Sequence, residues 1–150
     1  MKARYVHTNL IADDWQRLSE FYQNVFDCIP VPPERDYAGA ELSSATGIAN
    51  ASLRGIHLLL PGFGPDGPTL EIFQYGQNLA GHPRAVNQPG FGHIAFEVDD
   101  VAAARSEVLA RGGTAVGDLV DLTTSDGRKV SWCYVKDIEG NIIELQAWSG

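Results

Sequence analysis

The sequence predicts an α+β fold made of two tandem repeats, each with a strand, a helix and three further strands. Two ten-residue stretches, Tyr5-Val-His-Thr-Asn-Leu-Ile-Ala-Asp-Asp14 and Phe91-Gly-His-Ile-Ala-Phe-Glu-Val-Asp-Asp100, both place Asp-Asp six and seven residues after a histidine. The two halves also end alike, in Leu70-Glu-Ile72 and Ile143-Glu-Leu145. Matching order at both ends of each half indicates an internal duplication.

Composition limits the class of protein. The chain has 150 residues, of which 44% are hydrophobic and 20% charged, as in ordinary globular domains. The net charge of −8 argues against a nucleic-acid surface, which needs a basic footprint. No apolar run is long enough to predict a membrane span, and the N-terminus does not resemble a secretion signal, so a soluble cytoplasmic protein is expected. Cys28 and Cys133 form no metal-binding or disulfide motif and are expected to be buried.

The first repeat, about residues 4–76, begins with alternating residues over 4–12 that predict a strand. Asp13 or Asp14 can cap the helix that follows. Its apolar stripe at three- and four-residue steps is expected to pack in the core and consists of Trp15, Leu18, Phe21, Tyr22, Val25 and Phe26.

The rest of the first repeat is punctuated by prolines and glycines. The run from Cys28 to Pro33 ends the helix, because proline cannot continue it. Residues 34–50 are expected to form a loop or a short helical turn that serves as a flap or pocket rim. Strands are predicted over 51–61 and 69–75, joined by the turn-rich segment 62–68.

The second repeat, about residues 90–148, follows the same order after a linker over 77–89. A strand is predicted over 91–98. Asp99 or Asp100 caps a helix that Gly112-Gly113 ends. The last three strands are predicted at 114–122, 129–135 and 141–148. Residues 1–150 are therefore interpreted as one domain made of two repeats.

Four residues occupy equivalent places in the two repeats: His7 and Glu71, then His93 and Glu144. An ionised carboxylate among apolar neighbours is costly unless a partner compensates it, and one divalent cation would compensate both. Two imidazoles and two carboxylates suit a metal that keeps positions open for water or substrate. The alternative is that each of the four faces solvent, since side chains alternate along a strand.

The chain resembles the vicinal oxygen chelate superfamily, which includes glyoxalase I, methylmalonyl-CoA epimerase, extradiol dioxygenases, and the fosfomycin and bleomycin resistance proteins. The resemblance covers nearly the whole chain and is carried by His7-Thr-Asn-Leu10, Ser19-Glu-Phe-Tyr-Gln-Asn-Val-Phe26, Gly92-His-Ile-Ala-Phe-Glu-Val-Asp-Asp100 and Asp137-Ile-Glu-Gly-Asn-Ile-Ile-Glu-Leu145. It implies paired βαβββ modules that form a cup-shaped mixed sheet with the helices outside.

The resemblance also implies a site. The ligands of one divalent ion (Ni, Co, Zn, Mn or Fe) would be His7, Glu71, His93 and Glu144. The resemblance further implies a homodimer that acts on a small-molecule substrate. A carboxylate at Glu71 favours proton transfer, as in a lyase or isomerase of the glyoxalase I or epimerase type. Glu144 is then the first candidate for the base that removes a proton α to a carbonyl, and Glu71 the second.

The sequence is also compatible with two other functions. One is an Fe(II)-dependent ring-cleaving dioxygenase, since dioxygenases of the family keep two His and one Glu. The other is a non-catalytic protein of the bleomycin-resistance type, which binds its ligand without a metal. The resemblance implies a homodimer under each of these three interpretations. The modules would pair either within one chain or between two chains.

Two features of the sequence bear on substrate recognition. Bacterial glyoxalase I commonly has an Arg where this chain has Ile11, which disfavours a glutathione conjugate as the substrate. The cations that could replace this Arg are Arg4, Arg54, Arg84, Arg128 and Lys129. An aromatic pocket is expected from Phe63, Phe73, Tyr75, Phe91 and Trp132, with core packing as the alternative. His57 is interpreted as a satisfied core or edge residue and His82 as an exposed linker residue.

Overall fold

Two four-stranded mixed sheets and three helices make up the protein in a computed structural model that describes residues 1 to 149. The first half contains β1 (His7–Ile11), α1 (Trp15–Phe26), β2 (Ile29–Ala38), α2 (Ala40–Thr46), β3 (Ser52–Leu59) and β4 (Thr69–Tyr75). The second half contains β5 (Ile94–Glu97), α3 (Val101–Ala110), β6 (Thr114–Thr123), β7 (Lys129–Lys136) and β8 (Ile142–Ser149). The predicted α+β class and the repeated order are confirmed.

The chain divides into two compact units, Met1–Ala80 and a second that begins at Gly81. The strand order is β1-β4-β3-β2 in the first and β5-β8-β7-β6 in the second. In each sheet the first strand pairs in parallel with the last, and the other pairings are antiparallel. The boundary between the units falls inside the predicted linker. Nowhere in residues 1 to 149 is there a helix of the length and apolarity that spanning a membrane requires.

Helix α1 forms where the apolar stripe predicts it. The Asp14 side chain accepts a hydrogen bond from the backbone N–H of Arg17 at 3.1 Å, which satisfies one of the free donors at the helix start. Leu18 and Tyr22 are fully buried against the sheet. The predicted core role of the aromatic residues is confirmed, since the side chains of Trp15, Phe21, Tyr22 and Phe26 are all buried.

Strand β2 is the strand of the first repeat that the sequence analysis expected but did not locate, because it assigned these residues to the end of the helix and to a loop. The strand carries Pro30, Pro32 and Pro33, and the Pro32–Pro33 bond is cis. Prolines are tolerated here because β2 is an edge strand that pairs only with β3, and its register shifts between Val31 and Arg35. The expected short helical turn is confirmed as α2.

Side chains alternate between the two faces of the last strand in each unit. One carboxylate on each of these strands therefore lies on the face opposite the buried core. Leu70 and Ile72 on β4 are fully buried, and Glu71 lies between them on the opposite face. On β8 the fully buried residues are Ile143 and Leu145, again on either side of a glutamate, Glu144. The candidate residues are thus held by strands whose other face forms the core.

Both cysteines lie in this core, as predicted. Cys28 is 3% exposed and Cys133 is 1% exposed, and both are free thiols. Burial, with the charge of Asp27 adding to it, raises the pKa of Cys28 to about 12. Burial also raises the pKa of Cys133, against the lowering effect of Arg105. Both therefore behave as small apolar groups rather than as nucleophiles.

Candidate metal centre

In the first unit, the parallel pairing of β1 with β4 brings His7 and Glu71 together. The His7 Nε2 atom lies 3.2 Å from Glu71 Oε2. Asn9, whose Cα is the register partner of Glu71, donates from its side-chain amide to the same oxygen at 3.3 Å. Glu71 is only 9% exposed, so these donors compensate a carboxylate that is largely removed from water.

His57 is a further partner of Glu71 that the sequence analysis did not place in the site. It lies on β3 directly opposite Glu71, and its Nε2 is 2.8 Å from Glu71 Oε1. Its Nδ1 is 3.2 Å from the hydroxyl oxygen of Thr69. Burial lowers the pKa of His57 below the usual histidine value and outweighs the opposing effect of the Glu71 charge. The expectation of a satisfied histidine is confirmed, and the hairpin register is what identifies its partner.

The second unit contains an equivalent pair. His93 Nε2 lies 3.0 Å from Glu144 Oε2. Tyr134 on β7 is the register partner of Glu144, and its hydroxyl donates a hydrogen bond to that carboxylate. Burial raises the pKa of Tyr134, and the charge and hydrogen bond of Glu144 raise it further. The rings of His93 and Tyr134 have centroids 5.2 Å apart.

The two units therefore share one local arrangement. Each has a histidine at or just before its first strand and a glutamate in its last strand. Each also has a hydrogen-bonding ring on the strand beside that glutamate: His57 opposite Glu71, and Tyr134 opposite Glu144. The sequence analysis found the first two members from the repeat, but it missed the third because His57 and Tyr134 are different residue types.

The donor atoms of each pair fit a divalent ion. Neighbouring donors around a metal at about 2.1 Å in near-octahedral geometry lie about 3 Å apart. The His7–Glu71 and His93–Glu144 distances of 3.2 and 3.0 Å match this spacing. Within each unit taken by itself, residues 1 to 149 contain no group of three His, Cys, Asp or Glu side chains arranged to hold a metal. Each unit thus supplies two donors with suitable chemistry.

The predicted aromatic residues of the first unit have different environments. Phe73 lies on β4, with its ring centroid 5.8 Å from that of His57. Tyr75 lines a cavity of about 440 Å³ together with Trp15 and Arg54. Phe63 lies in the turn after β3 and is 59% exposed. Of these residues, Phe73 is the one placed beside the His–Glu network.

In the second unit, Trp132 is the predicted aromatic residue beside the His–Glu pair. Its ring centroid is 5.1 Å from that of Tyr134. Its indole nitrogen is buried and has no hydrogen-bond partner among the described residues. Phe91 is 99% exposed and lines a separate cavity of about 260 Å³ with His82 and Arg84.

Some of the cations suggested as substitutes for an Arg at Ile11 already have partners. Arg54 forms an ion pair with Asp36 at 3.2 Å. Arg128 pairs with Asp126 at 2.9 Å and lies over the ring of Trp148. These contacts are exposed and contribute little free energy, so they leave both guanidinium groups able to exchange partners.

A comparison with protein families decides the family. The model described as "Glyoxalase/Bleomycin resistance protein/Dioxygenase superfamily" matches residues 4–145. The chain belongs to this superfamily. The resemblance noted from the sequence is therefore confirmed across nearly all of the chain.

One curated relative is consistent with this assignment. An ethylmalonyl-CoA/methylmalonyl-CoA epimerase of Cereibacter sphaeroides is 30% identical over 71 residues, which cover 47% of this chain and 53% of that protein. The aligned region thus spans about half the length of that relative.

Solved structures show the same glyoxalase-like fold. A glyoxalase family protein from Bacillus cereus has a TM-score of 0.77 at 20% identity and covers 100% of this chain and 95% of its own. The fosfomycin resistance protein FosX from Listeria monocytogenes, complexed with Mn(II) and sulfate, has a TM-score of 0.55 at 17% identity and covers 98% of this chain and 93% of its own. At these identities the likeness concerns the fold.

Proposed function

We propose that this member of the glyoxalase superfamily is a divalent-metal-dependent isomerase that moves a proton α to the carbonyl of a small acyl substrate. The observation that carries the proposal is the pair of equivalent His–Glu contacts, His7 with Glu71 and His93 with Glu144. The partial match to an acyl-CoA epimerase favours isomerisation over the lyase and dioxygenase reactions of the superfamily.

The four residues would form one ligand set, and the two repeats would act as one domain. When bound, the ion would withdraw electron density from the substrate carbonyl, which makes the α proton more acidic. Mn, Fe, Co, Ni and Zn all accept imidazole together with carboxylate. We propose that the protein works as a homodimer, which light scattering after size-exclusion chromatography tests.

Glu144 is the stronger candidate for the base. Its side chain is 19% exposed, against 11% for Glu71. Glu71 also accepts hydrogen bonds on both oxygens, which leaves it fewer free lone pairs for a proton. Glu144 would take the α proton, and return of a proton to the α carbon would complete the isomerisation. Glu71 is the second candidate for that exchange.

The test is deuterium exchange at the α carbon of methylmalonyl-CoA in D₂O. We expect the metal-loaded protein to catalyse exchange and Glu144→Gln to lower its rate by about 10²- to 10⁴-fold, the usual contribution of a positioned base. Glu97→Gln is the matched control, because Glu97 is an exposed strand glutamate and its substitution should leave the rate unchanged.

Three results would contradict the proposal. They are unchanged exchange in Glu144→Gln, oxygen uptake with a catechol in place of exchange, and failure of the protein to take up any divalent metal. Turnover of the glutathione hemithioacetal of methylglyoxal would instead assign the glyoxalase I reaction, which Ile11 disfavours.

A further inference from the structure

We propose that His57 is a positioning residue for Glu71: it holds Oε1 of the carboxylate so that Oε2 alone is offered to the metal ion. This inference rests on the proposed metal site and adds to it a residue outside the four ligands. A carboxylate can bind a metal through one oxygen or through both, and the neighbour that occupies one oxygen decides between these modes.

The contacts of the two Glu71 oxygens are unequal. Oε1 has a short contact of 2.8 Å with His57 Nε2. Oε2 has two longer contacts, 3.2 Å to His7 Nε2 and 3.3 Å to Asn9 Nδ2. Charge-assisted hydrogen bonds are strongest near 2.7 to 2.9 Å, so about 2.8 Å marks the firmly held oxygen. Oε2 is therefore the oxygen that is free to exchange its contacts for a metal.

Thr69 fixes the direction of the His57 hydrogen bond. The carboxylate of Glu71 only accepts hydrogen bonds, so His57 Nε2 must carry a hydrogen to bond with it. A neutral imidazole then leaves Nδ1 as an acceptor, and the Thr69 hydroxyl lies 3.2 Å from that atom. Thr69 can donate to Nδ1 and so favours the tautomer that points its N–H at Glu71.

The backbone holds this chain of contacts in register. His57 is directly opposite Glu71 in the antiparallel pairing of β3 with β4, and Leu59 is opposite Thr69. Thr69 and Glu71 lie two residues apart on one strand, so their side chains share a face. Phe73 also makes an edge contact with the His57 ring, with the two ring centroids 5.8 Å apart. A site built on strands in this way holds its side chains more precisely than a loop does.

The geometry distinguishes this role from that of a fifth ligand. His7 and His57 approach different oxygens of Glu71, and their rings are nearly perpendicular with centroids 6.0 Å apart. The three side chains do not form a metal-holding group. His57 therefore acts on the ion through Glu71.

Mn(II) binding to the metal-free 150-residue chain tests the role. His57→Phe removes the N–H but keeps a ring, and we expect it to weaken Mn(II) binding by about 10- to 100-fold. His57→Gln restores an N–H donor and should recover most of the affinity. His82→Phe is the matched control, because His82 is exposed in the linker and its loss should change nothing. Circular dichroism of each variant would establish whether it is folded.

Electron spin-echo modulation of bound Mn(II) separates positioning from ligation, since it counts the coordinated imidazole nitrogens. We expect the same count in the wild type and in His57→Phe. Thr69→Val should weaken binding less than His57→Phe does, with the count again unchanged. This variant also tests the role if His57→Phe does not fold.

Four results would overturn the inference. They are wild-type affinity in His57→Phe, loss of a coordinated nitrogen in that variant, no recovery in His57→Gln, and an equal loss in His82→Phe. If wild-type protein binds no Mn(II), the metal site itself is refuted, and the role of His57 falls with it. Failure of the inference alone leaves wild-type Mn(II) binding intact.

Discussion

The two candidate carboxylates differ in how firmly their surroundings hold them. Glu71 accepts from His7, Asn9 and His57 and is 9% exposed. Glu144 has His93 and the Tyr134 hydroxyl as partners and is more exposed. A fully bonded carboxylate suits a fixed ligand, whereas a base must be able to release its contacts. This difference supports separate roles for two residues that the repeat makes equivalent.

Trp132 provides the prediction at the residue scale. Its buried indole N–H has no partner among residues 1 to 149, and an unmade hydrogen bond of this kind costs about 1–3 kcal/mol. We expect Trp132→Phe to leave the melting temperature nearly unchanged. Removal of the unpaired N–H stabilises the folded state, and this gain offsets the packing that is lost with the smaller ring. If the proposed substrate satisfies that donor, the variant should raise KM for methylmalonyl-CoA, the substrate used in the exchange assay, by up to about tenfold, the value of one neutral hydrogen bond.

Trp148→Phe is the matched control for this measurement. The indole of Trp148 already donates to Gln146 at 3.1 Å, so its loss should not affect KM. Steady-state kinetics of both variants decide the question. An unchanged KM in Trp132→Phe would show that the substrate does not use the indole.

At this scale the sequence predicted the residues that recur and missed those that do not. The predicted ligands His7, Glu71, His93 and Glu144 were singled out because the same residue type stands at the same place in both repeats. His57 and Tyr134 share a position but not a type, so no repeat marks them. Their partners are set by hairpin register, which depends on the hydrophobic pattern of the strands and on the turn geometry, and not on the identity of these two residues.

Strand β3 provides the prediction at the scale of elements. A Cβ added to Gly55 would lie 2.0 Å from the carbonyl oxygen of Ile72 and 2.5 Å from a ring carbon of Phe73. Since Gly55 pairs with Phe73, the missing side chain is what lets that ring lie close to the strand. We expect Gly55→Ala to lower the free energy of unfolding by roughly 1–3 kcal/mol, as overpacking does.

Gly64→Ala is the control for this substitution. An added Cβ there meets no atom within 4 Å, and the backbone does not adopt a positive φ. Urea denaturation should show near-wild-type stability for Gly64→Ala and a lower midpoint for Gly55→Ala. Equal midpoints would mean that β3 and β4 can separate enough to accept the methyl group.

The elements themselves were predictable where periodicity was strong. Helix α1 and strand β4 follow their apolar patterns closely. Strand β2 was missed because its prolines contradict the usual composition of a strand, and only its position at the sheet edge removes the conflict. Whether a strand lies at the edge depends on the pairing of the whole sheet. The prolines considered alone therefore predict a loop for this segment.

At the scale of the whole molecule, the proposal requires a contribution from each unit. Within residues 1 to 149, neither unit taken by itself groups three metal-binding side chains. One histidine and one glutamate form too small a donor set for tight binding, because biological sites for these metals usually have three or four protein ligands. Each pair is therefore expected to be necessary for metal binding, and neither should be sufficient.

Removal of one pair at a time tests this expectation. We expect the wild type to bind one divalent ion per chain, and His7→Ala/Glu71→Gln and His93→Ala/Glu144→Gln each to lose it at micromolar metal. A ligand at about 100 times its Kd stabilises the folded state by about 2.7 kcal/mol. Metal should therefore raise the melting temperature of the wild type by about 5–10 °C and that of neither double variant. The measurements are elemental analysis of the purified proteins and thermal denaturation with and without EDTA. Stoichiometric metal in either double variant would show that the remaining pair binds the ion alone.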